Sequence, residues 1–523
     1  MNKLFLLKGI LLTSLSTCIG HAEQAKAQRP NILFAFGDDL GRYFSIYHTL
    51  EGGNTPAALV KTPNADRLSK EGALFVNAHV CAPSSTPCRS ALLSGQYFWR
   101  TGLGAILQGA EWDDNIPSYP LFLQANGYHI GRTYKVWYPG TPANAPYGGD
   151  KNTFEKYGTD FCRFSQTVLQ KTDPDEIERE KQRLYDEVVG NFQQFLDARP
   201  SSDTPFCYWW GPWNTHREWK KGSGKKLWGI NPDDLKGKMP KSLPDVAEIR
   251  EDFADYLGEI QAFDHALGLI IKKLEEIGEL DNTVIVVSGD HGIPGFPRAK
   301  CNLYNFGTHV PLIIRYPPMV KAGRIIEDFV NLMDLAPTFL ELGEVRPPKV
   351  MTGKSLVPIL KADKSGQIDP KRTYVVTGIE RHVAAAREGN LPYPRRAITT
   401  SRYKYIRNFA PDRWPIGCIG NRYPDIDEGP TKNWFLANIH NERYQTEVQL
   451  GFGKRPYEEL YDLERDPDEI TNVAEEPAYS DIKRQLADLL DKVLTESNDP
   501  RMQPGPCPFE KLPFTASYSQ TRQ

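Results

Sequence analysis

The chain has 523 residues, 40% of them apolar and 25% charged, and a formal net charge of −3. Those proportions exclude a disordered or membrane-embedded chain and leave room for one large domain plus a smaller one. The near-neutral balance excludes a broadly basic, nucleic-acid-binding surface, so an anionic ligand has to be met by a local cluster of cations.

The chain opens with Lys3, an apolar run from Leu4 to Leu15, and then small residues. Gly20-His21-Ala22 and Ala25-Lys26-Ala27 both fit small-x-small cleavage sites. The run is too short to span a bilayer and reads as a secretory signal over residues 1–27. Leu15-Ser16-Thr17-Cys18 resembles a lipidation site, but Thr17 fits poorly before the cysteine, so a lipid anchor on Cys18 ranks second. No later stretch reads as transmembrane. Seven of the eight cysteines follow the leader, scattered and without a C-x-x-C pair, which argues against a zinc or thioredoxin-like site. Export permits disulfides, with no pairing legible.

Asn31 to Phe36 is a short apolar run closed by Gly37-Asp38-Asp39, which predicts a buried strand delivering two carboxylates at its C-terminal end. A helix is expected over 64–72, and another over Pro120–Gly127 ending on glycine. Phe206–Trp210 predicts a strand. Between 247 and 278, Phe253, Leu257, Ile260, Phe263, Leu267, Ile270, Ile271 and Leu274 recur at helical spacing. Asn282–Ser288 predicts a buried strand closed by Gly289-Asp290-His291-Gly292, and Val310–Arg315 predicts another. Strands alternating with helices predict an α/β fold with a mostly parallel sheet sandwiched by helices, whose ligands collect at the strands' carboxyl ends.

After about residue 370 the texture changes to short segments such as Tyr374–Thr377 and Tyr403–Ile406, interspersed with charged and aromatic residues. The expectation is a catalytic domain over 28–369 and a C-terminal α+β subdomain over 370–523, built on an antiparallel sheet and contributing to the substrate site. Residues 411–432 read as loop, and a last helix fits Ile482–Leu494.

The segment Cys81-Ala-Pro-Ser-Ser-Thr-Pro-Cys-Arg-Ser-Ala-Leu-Leu-Ser-Gly95 carries the most specific signal. Ser85-Thr86-Pro87-Cys88-Arg89, the downstream Leu-Leu-Ser-Gly and Arg100-Thr101-Gly102 resemble the maturation motif of the type I, formylglycine-dependent sulfatases. The resemblance implies an alkaline-phosphatase-like fold and oxidation of Ser85 to an aldehyde. A serine hydroxyl is a weak nucleophile at neutral pH, whereas a hydrated aldehyde offers two oxygens, one to take the sulfate and one to expel it. Ser85 precedes a predicted helix whose first N–H groups favour an anion, and Arg89 is expected to stabilise developing charge. The plainer alternative is a proline-containing loop with Ser85 as a helix cap.

The same resemblance implies Asp38, Asp39, Asp290 and His291, with Ser85, as ligands of a divalent cation. Carboxylates suit Ca²⁺, with Mg²⁺ second, and imidazole at 291, where the family usually has Asn or His, makes the metal less fixed. Lys300 matches the family lysine before the Val310-Pro311 strand, His216 the second histidine of an H-x-P-H segment, and Lys135 the lysine of a G-K-x-H segment. The partner histidine of that last segment is absent, with Trp137 or Tyr138 in its place. Glu380, Arg381, His382, Arg395 and Arg396 are expected over the site as substrate-binding groups, with ordinary surface polarity as the alternative.

Gly292-Ile-Pro, Asn302-Leu-Tyr, Gly307-Thr, Arg402-Tyr-Lys-Tyr and Trp434 are most similar to the heparan N-sulfatase branch. The implied partner is a sulfated carbohydrate, N-sulfoglucosamine or an O-sulfated sugar. Serine at 85 implies a serine-type sulfatase-maturating enzyme acting before export, with a periplasmic destination. A metal-dependent phosphatase or phosphodiesterase and a non-catalytic glycan-binding relative are the competing readings.

Overall fold

The structure is a computed structural model and describes residues 29–517. The expected signal over 1–27 and Cys18 lie outside the described residues. All seven residues of the Asn31–Gly37 strand are buried. Its neighbours Phe206–Gly211 and Thr283–Gly289 both pair with it in parallel. Side chains alternate across a strand, so Leu33 and Ala35 join Tyr208, Trp210, Ile285 and Val287 in one core. Ile32, Phe34 and Phe36 join Cys207, Trp209, Val284 and Val286 in the other. Burial on both faces is why these runs are continuously apolar.

The first core is closed by the helices Pro174–Asp197 and Ala247–Glu276. The second is closed by Ser85–Ser94, Tyr119–Ala125 and Leu335–Leu342. The seven strands run in the order His129–Tyr134, Phe206–Gly211, Asn31–Gly37, Thr283–Gly289, Leu312–Arg315, Ala73–Phe75, Arg324–Ile326. Leu312–Arg315 alone opposes the rest, giving the mostly parallel, doubly covered sheet expected from the alternation of elements.

Four strands, Tyr374–Ile379, Arg395–Thr400, Tyr403–Asn408 and Glu458–Asp462, form a separate antiparallel sheet. Ile398, Tyr405 and Leu460 on one face pack on Leu486, Leu490, Val493 and Leu494 of the Ser480–Glu496 helix. Ile379, Ala397 and Ile406 on the other face pack on Cys301, Leu303 and Tyr304. Polar contacts fix the same segment. Arg395 donates to Cys301 O at 2.6 Å and Asn302 Oδ1 at 3.1 Å. The buried Lys404 ammonium donates to Leu303 O at 3.0 Å and Asn305 Oδ1 at 2.6 Å and pairs with Glu469 at 3.0 Å. The small sheet thus braces the chain that carries Lys300.

Several elements escaped the sequence reading, among them a long helix and a strand of the large sheet. The 24-residue helix Pro174–Asp197 hides its apolar stripe among charged residues, although Asp173 caps it by accepting from the N–H groups of Asp175 and Glu176. The His129–Tyr134 strand contains His, Arg and Thr, which obscure its alternation. The loop expected over 411–432 ends earlier, because the helix Pro430–Ala437 begins inside it. All seven cysteines among the described residues are free thiols.

Candidate active site

Gly37 and Gly289 are opposite each other in the parallel register. The residues that follow, Asp38-Asp39 and Asp290-His291, therefore emerge side by side at the sheet's carboxyl edge, where ligands of such sheets collect. Asp39 has φ 59°, a left-handed conformation that Asp tolerates better than most residues. Its N–H donates to Asp290 Oδ1 at 2.7 Å, which locks the two strand ends together.

Ser85 is the first residue of the Ser85–Ser94 helix. Its Oγ lies 3.1 Å from Lys135 Nζ, 3.3 Å from Asp38 Oδ1 and 3.4 Å from His291 Nε2. Lys135, just beyond the His129–Tyr134 strand, also grips both Asp38 oxygens at 2.6 and 2.8 Å. Burial pushes the Asp38 carboxyl up, but Lys135, then Arg89 and His216, outweigh it and hold it well below the usual carboxylate range.

Arg89 lies against the same carboxylates. It is fully buried, and its guanidinium donates to Asp290 Oδ2 at 3.0 Å, Asp38 Oδ1 at 2.8 Å, Val136 O at 3.0 Å and Lys135 O at 3.3 Å. It clamps two carboxylates that follow different strands. Trp137 is buried, with Nε1 donating to Ser90 Oγ at 2.8 Å, so it does not stand in for the missing histidine.

The donor set fits a divalent cation. Asp39, Asp290 and His291 present ligand atoms within 4.8 Å of one another, as do Asp38, Asp39 and His216. Asp39 Oδ1 is buried and accepts no hydrogen bond. His291 Nδ1 lies 3.1 Å from Gly292 O. A carbonyl only accepts, so a proton sits on Nδ1, and the neutral ring would turn the Nε2 lone pair on Asp39 Oδ1 at 3.1 Å and Asp290 Oδ1 at 3.6 Å. Acceptors facing acceptors in a buried space call for a positive charge between them.

Lys300 forms the opposite wall. Its Nζ donates to Asp39 Oδ2 at 2.9 Å and to His216 Nε2 at 3.4 Å. His216 Nδ1 in turn donates to Arg217 O at 2.6 Å. Asp427 Oδ2 lies 3.2 Å from the same ammonium. Burial pushes the Lys300 ammonium down, but Asp39, then Asp427 and Asp38, hold it well above its ordinary value. Asp427 was missed by sequence reasoning; nothing in the spacing of a Pro-, Gly- and Asp-rich loop ties it to Lys300.

A cleft of about 790 Å³ opens from Asp38, Lys135 and His216 outward past Trp213 and Tyr138 to Arg163 and Glu218. Glu380, Arg381, His382, Arg395 and Arg396, expected over the site, are not among the residues that line this cleft. Glu380 and Arg396 are buried and paired at 2.8 Å, Arg396 also holds Asp499 at 2.6 Å, and Glu380 holds Arg501 at 2.6 Å. Arg395 supports the Cys301–Asn302 backbone, and Arg381 donates to the carbonyls of Gln108 and Ala516. Strand pairing turned these charges inward, where each has to find a partner. His382 comes nearest the site: its Nδ1 is 2.8 Å from Ser84 Oγ, and burial above all pushes it down to about 4, so it stays neutral.

Comparison with known proteins agrees with this geometry. The family profile described as Sulfatase matches residues 30–345, and that described as N-sulphoglucosamine sulphohydrolase, C-terminal, matches 296–419. An ulvan-active sulfatase of Formosa agariphila is 26% identical over 498 residues, covering 90% of this chain and 76% of that protein. Human N-sulphoglucosamine sulphohydrolase is 26% identical over 513 residues, covering 91% and 92%. A solved structure in complex with its substrate D-glucosamine-2-N,6-O-disulfate shares the fold at a TM-score of 0.58, with 20% identity over 90% of this chain and 98% of that one. The chain belongs to the sulfatase family.

Proposed function

We propose that this chain is an exported, divalent-cation-dependent sulfatase that removes sulfate from a sulfated glycan, with Ser85 oxidised to formylglycine. The observation that carries the reading is the meeting of Ser85 Oγ with Lys135, Asp38 and His291 within 3.4 Å at the sheet's carboxyl edge, in a chain of this family. Oxidised and hydrated, residue 85 supplies two hydroxyls on one carbon. A cation held by Asp38, Asp39, Asp290 and His291 supplies Lewis acidity, Ca²⁺ being the first candidate and Mg²⁺ the second.

The chain's own residues do the rest. Lys135 places positive charge beside the reacting oxygen. Arg89 fixes the relative positions of Asp38 and Asp290. Lys300 and His216 hold a proton on the side of the cleft where a leaving oxygen or nitrogen needs one. The first turn of the Ser85–Ser94 helix adds backbone N–H groups favourable to an anion.

The profile match over 296–419 and the human relative support the sulfamate of N-sulfoglucosamine as the first substrate class. The ulvan-active relative supports an O-sulfated polysaccharide as the second. Trp213 and the half-exposed Tyr138 in the cleft wall are suited to a saccharide face. In this reading residues 28–369 are the catalytic domain and 370–523 contribute to the substrate site, as Asp427 and His382 support. The leader over 1–27 and the serine precursor support maturation by a serine-type sulfatase-maturating enzyme, export to the periplasm and a role in glycosaminoglycan or polysaccharide breakdown. Among the described residues no helix is long and apolar enough to cross a membrane.

The test is peptide mass across residue 85 in protein co-produced with a serine-type maturase, followed by a panel of N- and O-sulfated saccharides. Oxidation removes two hydrogens, a loss of about 2 Da. An unoxidised Ser85 in a protein that hydrolyses phosphate esters overturns the reading.

A further inference from the structure

Asp427 is an anion placed where the proposed reaction needs cations. Its Oδ2 lies 3.2 Å from Lys300 Nζ, yet is buried and outside hydrogen-bond geometry. His216, His382 and the Cys301 thiol are further titratable groups that interact with its carboxyl. Lys300 commits N–H groups to Asp39 Oδ2 and His216 Nε2, and an ammonium has three. The third is open to Asp427, whose Oδ2 is 3.2 Å away, and to an incoming anion that competes with it.

The placement is built into the loop. Asp425 accepts from the Val383 N–H at 2.9 Å and pairs with Arg387 at 2.9 Å. The buried Lys432 donates to Ile426 O at 2.7 Å and Glu428 Oε1 at 2.7 Å. Thr431 bonds to Asp252, whose carboxylate also receives both terminal nitrogens of Arg217. Residues on both sides of Asp427 are pinned, while its own carboxylate has, among the described residues, Lys300 alone within ion-pair range.

We propose that Asp427 is a positioning residue that serves as the counter-anion of Lys300: it balances the ammonium when no substrate is bound, competes with the sulfate group for it, and so speeds release of the sulfate product. The proposal rests on the sulfatase reading for the identity of the anion. Two like charges sharing one ammonium repel across a few ångströms, which weakens anion binding by a measurable factor. A residue that merely anchored Lys300 would have the opposite effect, because its loss would leave the lysine misplaced and weaken anion binding.

The experiment is calorimetric titration of inorganic sulfate into the full chain, with Ser85 unoxidised and Ca²⁺ present. Asp427→Asn is expected to tighten sulfate binding on the order of fivefold. Asp427→Ser, a second variant should the first fold poorly, is expected to do the same, and Asp427→Glu to remain within about twofold of the parent. In the matured enzyme, Asp427→Asn is expected to lower KM and the sulfate inhibition constant together without raising kcat. Unchanged or weaker sulfate binding in both neutral variants overturns the proposal, as does an absence of sulfate binding in parent and variants alike. Turnover of an aryl sulfate by the matured parent judges the sulfatase reading separately. Turnover with unaltered sulfate binding sinks the counter-anion alone, and tighter binding without turnover sinks the sulfatase reading alone.

Discussion

His291 Nε2 and Asp39 Oδ1 face each other at 3.1 Å, the imidazole proton being fixed on Nδ1 by Gly292 O and the carboxylate oxygen accepting no hydrogen bond. Two such atoms facing each other in a buried space fit the divalent cation proposed for this site.

Chelator-treated protein is therefore expected to melt lower than protein with Ca²⁺ restored. At about a hundred times the dissociation constant, a native-state ligand adds about 2.7 kcal/mol. Asp290→Ala should abolish the Ca²⁺-dependent rise in Tm. His291→Asn should keep it and reduce the response to Zn²⁺, because it replaces a borderline nitrogen with a hard oxygen. Differential scanning fluorimetry across Ca²⁺, Mg²⁺ and Zn²⁺ checks this, and indifference to all three metals would remove the ion from the account.

Arg89→Met is expected to destabilise the fold by about 3–5 kcal/mol, because it leaves Asp38 and Asp290 buried without the cation that bridges them. The two carboxylates would also drift apart, so metal affinity should fall. Denaturant melts with Ca²⁺ titration read both effects. A variant as stable as the parent would show that Lys135 alone suffices for Asp38.

The long Ala247–Glu276 helix carries a pH-dependent element. Glu259 is buried and pushed up to about 7, burial being the main cause. A carboxyl whose folded value lies above its unfolded value contributes stability fully present below the unfolded value, near 4.5, and lost as pH rises through about 7. Asp255, also pushed up to about 7 chiefly by burial, acts in the same direction. Glu259→Gln, which mimics the protonated form towards Ser165 N and Asn214 Nδ2, should flatten the decline of Tm between pH 4.5 and 7. The effect is on the order of 3 kcal/mol. Parallel Tm–pH curves for parent and variant would assign the slope to other groups.

Arg396 pairs with Glu380 and Asp499 with no exposed surface on any of the three side chains. Arg396→Ala should cost about 3–5 kcal/mol of stability, because it leaves Asp499 buried without its cation and Glu380 with Arg501 alone. The loss should appear in thermal melts. A raised KM with an unaltered melt would return Arg396 to the substrate site.

Much of the site was legible in the chain because its chemistry is concentrated at strand ends. A continuous apolar run followed by Gly-Asp-Asp, and a second followed by Gly-Asp-His, predict two buried strands with ligands at one edge, and the parallel register sets those ends abreast. The Ser85 segment is equally local: a nucleophile, a helix start and an arginine one turn later lie within five residues. The absent C-x-x-C and the near-neutral charge are likewise read directly from residue order.

What the tertiary structure alone decided was the direction in which each charge points. Arg89, Arg395 and Arg396 look alike in the sequence; folding buries each against carboxylates or carbonyls, because a charge removed from water has to be compensated where it stops. Asp427 shows the converse. It is 127 residues from Lys300, and only the docking of the small sheet and the pinning of its loop bring the two charges to 3.2 Å. Local sequence specifies strands, helix starts and ligand types through period and residue chemistry; which distant charges share one ammonium is set by long-range packing, whose geometry no local pattern encodes.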